Sequence, residues 1–88
     1  MTESKIPSLS RVYNYVESAN DWDQYKANYA FVFNGLTTSI RVGHNRGFFD
    51  SKFDSANRLG VQEITWLDGK KSRRTCWYGM FQAWETES

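Results

Sequence analysis

Two short turn signals, Asn34-Gly35 and Asp68-Gly69, constrain this chain more than anything else in it. Each sits between segments rich in aromatic and β-branched residues. Asn-Gly and Asp-Gly tolerate the positive φ that tight connections between antiparallel strands require. The first signal lies in Ala30-Phe31-Val32-Phe33-Asn34-Gly35-Leu36-Thr37-Thr38-Ser39-Ile40-Arg41-Val42. The second lies in Val61-Gln62-Glu63-Ile64-Thr65-Trp66-Leu67-Asp68-Gly69-Lys70-Lys71 and runs on into Arg73-Arg74-Thr75-Cys76-Trp77-Tyr78. Two hairpins are therefore expected.

Around the first turn, Ala27, Tyr29, Phe31 and Phe33 alternate with Asn28, Ala30 and Val32, a period of two with one nearly all-aromatic face. Thr38, Ile40 and Val42 read as the partner strand. Around the second turn, strands are expected at about 61–67 and 72–84. Within the latter, Cys76, Tyr78, Met80, Gln82 and Trp84 alternate with Trp77, Gly79, Phe81 and Ala83.

Helical spacing occurs twice. Ser8 precedes Leu9, Val12, Tyr13 and Val16, an i, i+3, i+4, i+7 stripe behind a capping residue. Ser51 with Asp54 resembles a capping box, ahead of a stripe of Phe49, Phe53, Ala56 and Leu59 that stops at Gly60. The expected order is α-β-β-α-β-β. The expected architecture is α+β: a four-stranded antiparallel sheet built from two hairpins, with both short helices on one face. Residues 1–7 and 85–88 read as loose ends of a single domain spanning 1–88.

A chain of 88 residues has a thin core. Four Trp, five Tyr and six Phe are more rings than a domain of this size easily buries, at roughly 150–250 Å² each. A share of them is expected at a binding surface. The single cysteine, Cys76, permits no internal disulfide, which favours a reducing, cytoplasmic setting. Met1-Thr2-Glu3-Ser4-Lys5 is followed by no apolar run, so neither a signal peptide nor membrane association is expected. Net charge is +1, but residues 41–74 carry eight basic and four acidic side chains.

The chemistry-bearing residues are sparse. One His and one Cys, separated by 31 intervening residues, exclude a structural zinc site, and no loop has the acidic density of a hard-cation site. No metal or other cofactor is expected. Cys76 lies inside an expected strand and His44 in a polar loop, so no catalytic set forms and no enzymatic activity is expected. Gly43-His44-Asn45-Arg46-Gly47 lacks a phosphate-loop pattern, yet Gly43, His44, Arg46 and Gly47 offer amides and cations to a small anion. The strongest constellation is basic and aromatic: Lys70, Lys71, Arg73 and Arg74 beside Trp66, Trp77 and Tyr78.

Trp, Tyr and Arg together are the residues that dominate protein interfaces. The expected function is a non-enzymatic protein-binding module, an inhibitor or modulator of a larger cytoplasmic protein or nucleoprotein complex. Small chains of this type are often phage- or plasmid-encoded modulators of host machinery. The alternative is RNA or single-stranded DNA binding, with cations on phosphates and rings on bases. A second alternative is an anionic small ligand at 43–47. Exposed sheet edges also allow a homodimer.

Overall fold

The computed structural model describes residues 13–16, 21–35 and 40–87. They form one seven-stranded mixed sheet. Its strands are β1 (Asn14–Val16), β2 (Ala30–Asn34), β3 (Arg46–Phe53), β4 (Leu59–Trp66), β5 (Lys71–Trp77), β6 (Met80–Phe81) and β7 (Glu85–Thr86). The spatial order is β1-β2-β3-β4-β5-β6, with β7 also on β5. β1 runs parallel to β2, and every other pairing is antiparallel. The helical content among the described residues is a single 3-10 turn, Trp22–Gln24.

The expected four-stranded α+β architecture is thus replaced by a nearly all-β one. The helix expected over 51–59 is the end of β3, a loop and the start of β4. Its stripe began with Phe49 and Phe53, four apart, a spacing that fits a strand face as well as a helix face. Ser51 caps nothing. It is buried in β3, where its Oγ donates to the Ala27 carbonyl (2.6 Å) and accepts from Tyr29 N–H (3.0 Å). Asp54 instead organises the β3–β4 connection. Its Oδ1 accepts from the N–H groups of Arg58 (2.8 Å) and Leu59 (3.2 Å). Of the helix expected after Ser8, residues 14–16 are strand β1 and residues 8–12 lie outside the described residues.

The Asn34-Gly35 turn also fails as a two-residue hairpin. Gly35 N–H donates to Asn45 O (2.7 Å), which prolongs the ladder between β2 and β3. The expected partner strand around Ile40 and Val42 is a turn bridged by Arg41 and His44, while residues 36–39 lie outside the described residues. At Asp68-Gly69 the structure does turn. Trp66 N–H bonds Lys70 O, Gly69 N–H bonds Trp66 O, and Gly69 adopts φ 91°. That pattern is a type I turn closed by a left-handed glycine. The expected strand 72–84 is broken by a further hairpin at Tyr78-Gly79, after which β6 and β7 both return along β5. Glu85 and Thr86, expected in a loose tail, pair with Arg73 and Ser72.

Register puts Phe31, Phe49, Ile64 and Ser72 in one row across the sheet, and Phe33, Gly47 and Trp66 in the next. All are buried. Trp22 closes this face. Its ring stacks on Phe49 at 4.7 Å and meets Phe33 edge-on at 5.3 Å. Tyr25, Ile40 and Trp84 pack around the cluster.

Irregular backbone laid over a sheet must satisfy its own carbonyls. Buried Gln62 does this: its Nε2 donates to the carbonyls of Trp22 (2.6 Å) and Tyr25 (3.1 Å). Its Oε1 accepts from Arg74 Nε at 2.7 Å, and Arg74 reaches Asp23 Oδ1 at 2.7 Å. The Arg74 guanidinium lies 3.7 Å over the Phe81 ring and 4.9 Å from that of Trp84. Gln62→Leu strands two carbonyls and one guanidinium N–H. It is expected to cost about 3 kcal/mol or more in urea unfolding. A loss below ~1 kcal/mol would mean that the Trp22 ring alone holds the segment.

Candidate binding surface

The sheet divides the basic–aromatic constellation between its two faces and its two ends. Trp66 is buried, and its Nε1 donates to Ser72 Oγ at 2.8 Å. Arg74 belongs to the clamp over Trp22. Neither is available to a partner. Lys70 lies in the exposed β4–β5 turn. Lys71 and Arg73 project from the opposite, open face, where Lys71 Nζ sits 3.7 Å from Glu63. Trp77 and Tyr78 lie at the other end of β5, about 20 Å from Lys71 at the rise of an extended strand.

The residues of the expected anion loop fall partly in a turn and partly in β3. Gly47 lies within β3, paired with Phe33 and Trp66. A Cβ there would stand 2.6 Å from the Thr65 carbonyl oxygen, so glycine is required by the sheet. Arg46 begins the same strand and is exposed. His44 is half-buried, its ring 5.9 Å from that of Trp66, and Gly43 turns with φ 81°. Arg41 locks this turn to the next hairpin by a two-pronged pair with Asp68, at 3.0 and 2.7 Å.

What the structure does bring together is a patch at the far end of β5. Leu59, Trp77 and Met80 are cross-strand neighbours in one row of the open face. Trp77 is 61% exposed, Tyr78 60% and Met80 71%, values far above those of the core rings. The Trp77 and Tyr78 rings meet edge-on at 5.4 Å. Arg58 lies 5.7 Å from the Tyr78 ring centroid. Lys52 stands opposite Val61, one row further in.

The turn carrying Tyr78 is unusual in composition. Tyr78 has φ 53° and Gly79 φ 85°, the paired positive values of a type I′ hairpin. A non-glycine residue in this region costs roughly 1–2 kcal/mol, and Asn or Asp bears it far better than an aromatic residue.

Leu59, Met80 and Lys52 were not singled out as site residues from the sequence. The Tyr78-Gly79 pair carries the signal, since glycine follows a residue that ends an apolar run. That run alternates smoothly through 72–84 and reads as a single strand.

Elsewhere on the open face Asp50, Glu63, Arg73 and Glu85 align in one row. The depression lined by Asp50, Lys52, Val61, Glu63 and Arg73 holds about 210 Å³. Sites for small-molecule ligands usually start near ~300 Å³, so it suits a single side chain. Among the described residues no group of three His, Cys, Asp or Glu could hold a metal ion. None of their helices is long and apolar enough to cross a membrane. No family model, curated protein or solved structure matches the chain.

The Arg41–Asp68 lock carries a pH signature. The Arg41 guanidinium and the Lys70 N–H hold the Asp68 carboxyl well below the usual carboxylate range. A carboxyl depressed in the folded state contributes stability above its unfolded pKa of about 4 and loses it as pH falls through the folded value. The denaturation midpoint is therefore expected to fall on acidification below about pH 4. Asp68→Asn should be less stable at neutral pH, and its gap to wild type should narrow in that acidic window. A gap that stays constant with pH would sink this account.

Proposed function

We propose that this protein is a non-enzymatic protein-binding module whose contact patch is the Leu59–Trp77–Tyr78–Met80 end of the sheet. One observation carries the reading. Tyr78 occupies a left-handed position that favours Gly or Asn, and its ring is mostly exposed. A residue that strains its own backbone while exposing its ring is best explained by what the ring touches outside the chain. The neighbouring Trp77 and Arg58 complete the composition typical of interface anchors. The buried free thiol of Cys76 fits a cytoplasmic setting, and a role as inhibitor or modulator of a larger complex fits a module of this size.

The nucleic-acid reading is weaker. Polynucleotide tracking along the open face would bring phosphates against Asp50, Glu63 and Glu85. Phosphate contacts dominate such affinity, and acids in the track oppose them.

The test is affinity capture from nuclease-treated cytoplasmic lysate, with wild type beside Trp77→Ser and Tyr78→Asn. A discrete protein should be retained by wild type and lost with both variants. Tyr78→Asn relieves about 1 kcal/mol of backbone strain and forfeits ~0.5 kcal/mol of exposed cation–π contact. Its Tm should therefore hold level or rise while binding falls. Recovery that vanishes with nuclease, or capture indifferent to both substitutions, would refute the proposal.

A further inference from the structure

We infer that Asn34-Gly35 is a self-modification site held closed by the fold: Asn34 deamidates to aspartate and isoaspartate when the end of the β2–β3 ladder opens.

The chemistry is intrinsic to the dipeptide. Gly35 N gives its proton to a base in the solvent and attacks Asn34 Cγ. The N–Cγ bond forms and the Cγ–Nδ2 bond breaks, and the amide nitrogen takes a proton from water and leaves as ammonia. Water then opens the succinimide ring. Cleavage at the side-chain carbonyl gives aspartate, and cleavage at the main-chain carbonyl gives isoaspartate. Nothing is oxidised or reduced, and water is the only co-reactant. Asparagine is a thermolabile side chain, and a following glycine places no Cβ in the way of the attack. Asn34 is the sole asparagine of the sequence that glycine follows.

Three features of the fold oppose this reaction. Ring closure needs Asn34 Cβ and Gly35 N nearly eclipsed about the Cα–C bond, whereas an extended strand holds them roughly 100° apart. Asn34 is the last residue of β2 and pairs with Arg46. Gly35 N–H, which must lose its proton, donates instead to Asn45 O at 2.7 Å. The Asn34 side chain is drawn aside, its Nδ2 donating to the Tyr15 hydroxyl at 3.4 Å. Opening of the terminal Gly35–Asn45 rung releases the first two together, and ladder ends open at the lowest free energy.

That rung is pinned from the next hairpin. Asn45 follows the turn bridged by Arg41 and His44, and Arg41 holds that turn on Asp68. Asp68-Gly69 is the other dipeptide at risk, by isomerisation through the same ring. It is shut more tightly. Its carboxylate is a poor electrophile and is engaged by Arg41 and by Lys70 N–H, while Gly69 N–H donates to Trp66 O at 2.9 Å. Asn34 is therefore the first of the two to react.

The products differ in consequence. Aspartate keeps the backbone and sets a carboxylate across from Arg46, about 5 Å away between Cβ atoms. Isoaspartate routes the main chain through the side-chain carbons, so Gly35 leaves its register with Asn45 and the rung is lost.

The experiment incubates the full chain at mildly alkaline pH, folded in buffer and unfolded in guanidinium chloride. Peptides containing residue 34 are resolved by chromatography and mass spectrometry into asparaginyl, aspartyl and isoaspartyl forms. Arg41→Ala and Asn34→Gln are run beside wild type, and circular dichroism verifies the fold of each. Conversion should map to residue 34, disappear there in Asn34→Gln, and be at least about tenfold slower in folded than in unfolded wild type. Arg41→Ala should react severalfold faster than wild type when folded and at the same rate when unfolded.

Equal rates in folded and unfolded wild type would overturn the gating. Modification first at Asp68 or at another asparagine would overturn the assignment of the site. A folded Arg41→Ala no faster than folded wild type would refute the pinned rung.

Discussion

The fold depends on one buried ring and the amide that seats it. A sheet of this size has a single face to bury, and the chain has no described α-helix to bury it with. It uses instead the irregular segment around Trp22, whose ring stacks against Phe31 and Phe49 and stands edge-on to Phe33. Irregular backbone over an apolar surface leaves carbonyls without donors, and each one left bare costs more than a typical hydrogen bond returns. Gln62 removes that cost by donating to two carbonyls at once, and Arg74 fixes Gln62 while reaching across to Asp23. The Trp22 indole N–H is itself buried without a partner. The ring is held there for its area, and the carbonyls of the backbone around it are satisfied by the Gln62 side chain.

This solution dictates what remains outside. The Trp22 cover occupies one face, so the odd-numbered side chains of β4 and β5 (Leu59 to Thr65, and Lys71 to Trp77) are left on the other. Aromatic surplus is then sorted by parity. Trp66 lies on the covered face and Trp77 on the open one, although both are tryptophans of one hairpin. The same parity separates Arg73 from its neighbour Arg74, the first solvated and the second sandwiched between Phe81 and Trp84. Four adjacent candidate residues thus hold three unrelated positions. Lys70 lies in the turn, Lys71 and Arg73 on the open face and Arg74 on the covered one.

The sequence reveals the strands of the second hairpin because Asp68-Gly69 punctuates two runs of clean alternation. It misreads the first half of the chain for a definite reason. Phe49 and Phe53 are four residues apart, and that interval satisfies both a helix stripe and a strand face. Only long-range pairing with Phe31, Ile64 and Gly60 decides between them. Gly35 fails as a turn glycine because its N–H finds Asn45, ten positions on, a contact with no local signature. At the candidate site, Trp77 and Tyr78 are legible from composition. Leu59 and Met80 are not, since it is the cross-strand register that carries them there.

The left-handed positions give the most direct comparison between folding demand and side-chain identity. Among the described residues the chain turns through clearly positive φ at Gly35, Gly43, Asn57, Gly69, Tyr78 and Gly79. Five of these six are glycine or asparagine, the residues for which this conformation is least costly. At the β4–β5 turn glycine fills the left-handed place, and in the β3–β4 connection asparagine does. The β5–β6 turn needs two such places in succession, and it fills the first with tyrosine. A turn selected for folding alone would have asparagine there, as the most favoured type I′ pairs do. The departure falls where Trp77 and Met80 are also exposed and where Arg58 lies over the ring. Strain and exposure coincide at one place. That coincidence is what supports the proposal of a partner surface that buries the ring.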